Sequence, residues 1–255
     1  MAARAYDDSI EHTMAPRYVV APAVPSVRLL EPSDVPVAAT VLARAFADEP
    51  AKHALFGSKA GDRAPFSGEA PRTRFAEAVA LGRLRAAARY AAVHVAEVDG
   101  TVAGVAIWYP PGVPSGAPPT MALLRALTKP GTRVLSLFTS VTAALWRDRS
   151  ALRRLLAGRA AAAKNAGRGP SWYLAVLGTD PGHRGRGVAR RLLERTLERC
   201  DVEGLPAWLE TTEEATAGMY ERFDFETIAA ITGGTILPGL WVMRREPQRQ
   251  GVGRA

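Results

Sequence analysis

The chain has 255 residues, 47% of them hydrophobic and 23% charged, and a net charge of +8. That balance suits one globular domain with extensions, and the basic excess is spread among interleaved acidic residues with no Lys/Arg run carrying aromatics, which argues against a nucleic-acid partner. A single cysteine, Cys200, excludes an intrachain disulfide.

The chain opens with residues 1–25, polar and then Pro- and Ala-rich, without periodicity. They are expected to form a disordered tail, with Met14 as an alternative start and no signal-peptide pattern. A short strand, Val27 to Leu30, precedes a helix capped by Ser33 and running through Phe46, with Val37, Val41, Leu42, Ala45 and Phe46 facing inward. Asp48, Glu49 and Pro50 end it. Residues 52–72 read as a loop or short helical turns, and about 73–89 as a second helix. Ala92–Val98 and Thr101–Tyr109 alternate as two strands around Asp99-Gly100, a strong hairpin signal. Pro110, Pro111 and Pro114 stop the second strand. Residues 121–127, 133–146 and 150–164 read as helices of an insertion spanning about 111–170. Its longest uncharged apolar stretch, 134–146, is well short of the roughly 20 residues that cross a bilayer, so no membrane association is expected.

Trp172 to Leu177 is an apolar run typical of a buried strand. Val188, Leu192, Leu193, Leu197 and Cys200 then share one face of a helix whose other face is charged. Cys200 on the apolar face reads as core packing, and its thiol is compatible with a reducing, cytoplasmic setting. Between strand and helix, Gly185 and Gly187 remove side chains, so that backbone N–H groups and the helix dipole favour an anion such as a diphosphate. The dinucleotide G-x-G-x-x-G pattern fails because Arg190 follows, and no Lys-Ser or Lys-Thr completes a P-loop. Beyond lie strand Ala207–Thr211, a helix to Phe223, strands 226–232 and 239–244, and a tail from 247. The expected fold is a mixed α/β sheet with one parallel β-α-β crossover around the Gly-rich loop; the domain is expected to cover 26–246.

Arg184-x-x-Gly187-x-Ala189, one turn after a strand ending in Asp180-Pro181, resembles the pyrophosphate loop of the GNAT superfamily of acetyl-CoA-dependent N-acetyltransferases, [Gln/Arg]-x-x-Gly-x-[Gly/Ala]. A second stretch, Leu209-Glu210-Thr211 followed by Tyr220 and then Phe225, resembles the superfamily's strand, helix tyrosine and final Gly-Phe. Asp224 stands where glycine is usual, in a position that calls for left-handed backbone. The whole is most similar to the puromycin N-acetyltransferase-like branch, with an insertion that is longer and more helical.

The resemblance implies acetyl transfer from acetyl-CoA to a primary amine. Leu177, Gly178 and Thr179 are then expected to bond the pantetheine amides, with a bulge or close backbone approach at Gly178. Gly185, Arg186, Gly187, Val188 and Ala189 would hold the pyrophosphate through their amides, with Arg184 or Arg186 adding charge. Tyr220 is the expected general acid and Glu210 the first candidate for the base, directly or through water. Asp48, Glu49 and Trp146 are candidate acceptor contacts. The four histidines, His12, His53, His94 and His183, have no paired spacing, so no metal site is expected. The small-molecule amine acceptors considered include antibiotics and other toxic amines, and the protein is expected to be a monomer or homodimer. A protein N-terminal or lysine acetyltransferase and a non-catalytic acyl-CoA sensor are the competing readings.

Overall fold

The computed structural model describes residues 24–47, 69–113, 149–231 and 239–248. Asp48, Glu49 and Trp146, the helices expected over 121–127 and 133–146, and nearly all of both tails lie outside these residues.

Seven strands form one sheet: β1 (Ser26–Leu29), β2 (Ala92–Val98), β3 (Thr101–Tyr109), β4 (Trp172–Thr179), β5 (Ala207–Thr211), β6 (Glu226–Ile231) and β7 (Leu240–Arg245). Their order is β1-β2-β3-β4-β5-β7-β6, so the last two strands cross over. Every neighbouring pair is antiparallel except β4 with β5. The helices are α1 (Val35–Ala45), α2 (Glu69–Ala87), α3 (Arg149–Ala166), α4 (Val188–Glu203) and α5 (Glu214–Glu221). The crossover β4-α4-β5 is the parallel unit that the sequence predicts.

The hairpin turn between β2 and β3 has Asp99 at φ 52° and Gly100 at φ 73°. Two successive positive φ values define the turn that matches strand twist, and Asp-Gly adopts it at low cost. Further along, the register slips at Ala96/Glu97, leaving Ala103 without an opposite residue.

Strand parity divides the core. Trp108, Trp172, Leu174, Leu209 and Met243 pack against α4 and α5 on one face. Val93, Val95, Val105, Ile107 and Val176 pack against α1 and α2 on the other. Ala162 and Ala166 of α3 cover Trp208, Leu240 and Val242 on that second face. Cys200 is fully buried in the first cluster, and desolvation pushes its thiol up to about 12, so it is a packing group.

Three expectations are corrected. Ser33 does not cap α1. It lies in a short 3-10 turn, Pro32–Asp34, held by a capping box between Glu31 and Asp34, in which the Glu31 amide donates to Asp34 Oδ2 at 2.8 Å. The buried face of α1 is Ala38, Ala39, Val41, Leu42 and Ala43, while Val37 is exposed. Finally, α2 begins at Glu69 inside the segment read as loop or short helical turns; Pro71 is tolerated because it falls in the first helical turn.

Candidate active site

β4 and β5 pair at only three positions: Trp172 with Ala207, Tyr173 with Trp208 and Leu174 with Leu209. Past Leu174 the strands part, and the β5-facing edge of β4 from Ala175 to Thr179 has no strand partner among the described residues. A β-bulge marks the parting: Ile107 pairs with Val176 and Trp108 with Leu174, so Ala175 is the extra residue. The bulge flips strand parity, which sends Val176 to the α1 side and Leu177 to the α4 side. The bulge thus falls at Ala175 and not at Gly178, where α1 comes close instead. A Cβ on Gly178 would stand 2.8 Å from Leu42 Cδ2 and 3.2 Å from Ala45 Cβ, so α1 lies directly on this part of β4.

β4 ends at Asp180, whose buried carboxylate accepts from the Gly182 amide at 2.9 Å and pairs with Arg44 Nη1 at 3.1 Å. His183 is half-buried, with Nδ1 3.7 Å from Asp180 Oδ1. The chain then turns through Gly185 at φ 75° and Gly187 at φ 80°. A Cβ at either would meet nothing within 4 Å, so glycine is required by backbone angle rather than by crowding. Gly187 caps α4 without any side-chain bond, and no acidic residue sits in the first turn. The first intrahelical bond runs from the Arg191 amide to the Gly187 carbonyl, 3.0 Å. The amides of Val188, Ala189 and Arg190 precede it and have no partner within the helix.

The Val188 side chain is fully buried, which leaves only its amide for the loop. Gly104 on β3 makes this possible, since a Cβ there would collide with Val188 and stand 3.1 Å from Leu192 Cδ1. Nothing in the local sequence Val-Ala-Gly-Val distinguishes Gly104 as the residue that seats α4. The two arginines of the loop are already engaged: Arg184 Nη2 donates to the Ala45 carbonyl at 3.1 Å, and Arg186 Nη2 pairs with Asp99 at 3.3 Å.

Tyr220 on α5 is 6% exposed and meets Phe225 edge-on, with ring centroids 5.8 Å apart. Burial pushes its pKa up, so the phenol is fully protonated at neutral pH. Asp224 closes the α5 turn at φ 62°, as its position requires.

Glu210 lies on the opposite face. Its neighbour Leu209 packs towards α4, so Glu210 and Trp208 point towards α3. There Arg159 Nη2 reaches Glu210 Oε2 at 2.8 Å, and Tyr173 Oη stands 3.4 Å from the same oxygen. Tyr173 stacks on Trp208 at 4.1 Å. Desolvation first, then the charge of Glu210, pushes the Tyr173 phenol up to about 12. Arg159 and Tyr173 were not singled out in the sequence; one sits mid-helix and the other in an apolar run, and only the fold brings them to Glu210. No cluster of three His, Cys, Asp or Glu suited to a metal occurs among the described residues, and no helix among them is long and apolar enough to cross a membrane.

Residues 139–225, about a third of the chain, match the acetyltransferase (GNAT) family. An uncharacterised N-acetyltransferase of Schizosaccharomyces pombe is 35% identical over 83 residues, 31% of this chain and 33% of that protein. An acetyltransferase of Pectobacterium atrosepticum is 36% identical over 70 residues, 26% of this chain and 48% of that one. The matches therefore span a third to a half of the curated relatives' lengths. In fold, the chain is similar to a Corynebacterium glutamicum crystal structure described as histone acetyltransferase HPA2 and related acetyltransferase. The TM-score is 0.56 at 19% identity, covering 90% of this chain and 99% of that one. The parted strands and the glycine loop before α4 fall within residues 139–225, the stretch that matches the acetyltransferase (GNAT) family, and the seven-stranded mixed sheet with its helices has a GNAT-like fold.

Proposed function

We propose that this protein transfers the acetyl group of acetyl-CoA to a primary amine of a small molecule, in the manner of the puromycin N-acetyltransferase-like branch. The observation that carries the reading is the parting of β4 from β5 directly before the left-handed Gly185–Gly187 turn. Among the described residues it leaves the β5-facing edge of Val176–Thr179 without a strand partner, and this edge leads to the amides of Val188 and Ala189 at the start of α4, which have no partner within the helix. A pantetheine arm has amides to match the first and its diphosphate matches the second.

Acetyl-CoA supplies an acyl group already activated as a thioester. The protein's share is to hold it, position a neutral amine and manage two protons. Leu177, Gly178 and Thr179 offer main-chain bonds to the arm, and Gly185 through Ala189 hold the diphosphate. Arg184 and Arg186 contribute positive charge from side chains anchored on Ala45 and Asp99. Tyr220 keeps its proton until a thiolate forms beside it; the same dry surroundings raise the thiolate's own proton affinity, which offsets the reluctance of a buried phenol to ionise. Glu210 takes the proton of the amine, directly or through water, from the other face of the sheet. Calorimetry with acetyl-CoA, followed by thiol-release assays against amines including puromycin, aminoglycosides and polyamines, tests the reading. A protein that binds acetyl-CoA in a 1:1 ratio and releases thiol only with an amine present meets it. One that binds but never turns over is a sensor instead.

A further inference from the structure

α2 packs over β2 and β3, and α3 over β5, β6 and β7, on the same face of the sheet. Between them one arginine from each helix reaches inward to the point where β4 and β5 part. Arg83 of α2 is exposed, and its Nη2 donates to the carbonyl of the bulge residue Ala175 at 2.8 Å. Arg159 of α3 makes its bidentate pair with Glu210. Tyr173 lies between them, within electrostatic reach of Arg83, Arg159 and Glu210 together.

The charges here do not cancel. Glu210 is matched by Arg159, but no carboxylate among the described residues pairs with Arg83. Among the described residues one of its five N–H donors is used, and the rest of a rigid fork suited to bidentate oxygen acceptors is open to a ligand. We propose that Arg83 anchors a carboxylate on the acceptor, so that the natural acceptor is a small amine that also carries a carboxylate group. The proposal rests on the acetyl-transfer reading above. The contact with Ala175 fixes the guanidinium beside the parted strands, and Glu210 stands across the groove where the amine end would lie.

The test uses matched acceptor pairs, each an amino acid and the amine left when its carboxylate is removed, in thiol-release assays with acetyl-CoA. Wild type should favour the carboxylate-bearing member. Arg83→Gln should raise KM for that member about 10- to 100-fold, the range of a charge-assisted pair, with kcat, KM for the carboxylate-free member and the acetyl-CoA dissociation constant little changed. Arg83→Lys, which keeps the charge and loses the fork, should fall between. Wild type that binds acetyl-CoA but prefers the carboxylate-free amine overturns the proposal alone. So does an equal effect of Arg83→Gln on both members, or a loss of acetyl-CoA affinity that would assign Arg83 to the cofactor slot. Wild type that binds no acetyl-CoA overturns the acetyl-transfer reading and this proposal with it.

Discussion

Arg159 holds Glu210 by both carboxylate oxygens, with Nε at 3.0 Å from each and Nη2 at 2.8 Å from Oε2. A helix from the insertion is thereby tied to the strand that carries the candidate base. The Glu210 side chain is nearly buried and that of Arg159 about half exposed, at 9% and 48%. The pair thus has a dry side toward the sheet and a wet side from which an acceptor can approach.

Glu210→Gln preserves shape and loses the charge. Turnover should fall by about 10²–10⁴-fold, the range for positioned proton transfer, with acetyl-CoA affinity unchanged because Glu210 faces away from the α4 amides. Steady-state thiol release and calorimetry on the same preparation measure both. Wild-type turnover in the Gln variant would leave Glu210 as a structural partner of Arg159 alone.

Tyr220→Phe should lower kcat by about 10²–10⁴-fold as well, at a nearly constant acetyl-CoA dissociation constant, the pattern of an interaction made in the transition state. The ring that meets Phe225 is kept, so Tm should move little. The loss should shrink with an acyl donor whose leaving thiol has a lower pKa. A Phe variant as active as wild type, with chemistry rate-limiting, removes Tyr220 from the mechanism.

Gly187→Asp separates cofactor binding from folding. The residue stands in left-handed backbone with open space around its Cβ position. Asp tolerates that backbone better than most residues, and its carboxylate interacts favourably with the start of α4, so stability should stay within about 1 kcal/mol of wild type. The same carboxylate occupies the anion site, and acetyl-CoA affinity should fall by at least about tenfold. Equal affinity in both proteins, by calorimetry, would move the diphosphate elsewhere.

Stability should fall in mild acid through His94. It is buried on β2, and its pKa is lowered by desolvation first and then by Arg195 and Arg199 of α4. With the folded value below the unfolded one, the neutral ring is favoured by folding. The stability it allows is complete above about pH 6.5 and declines as pH falls below that, levelling off only once the folded ring also protonates. His94→Leu should flatten the dependence of Tm on pH between 7.5 and 5 relative to wild type; an unchanged slope would assign the acid sensitivity to other groups.

Much of this molecule is written locally. The Asp99-Gly100 hairpin, the apolar run of β4, the left-handed demand at Gly185, Gly187 and Asp224, and the apolar stripe of α4 each follow from residues close in sequence, because backbone angles and strand or helix periodicity are short-range properties. The tertiary structure decided what meets what. Parity on β5 turned Glu210 away from the face to which its neighbour Leu209 packs, and Tyr220, ten residues further on in α5, belongs to that other face. The bulge fell on Ala175 rather than Gly178, and Gly178 instead gives room to α1 through a contact with Leu42 that no local pattern encodes. Arg83 and Arg159 reached the parting of β4 and β5, beside Tyr173 of β4, only through helices that pack on the sheet, and long-range approach of that kind depends on packing volumes summed over the whole core.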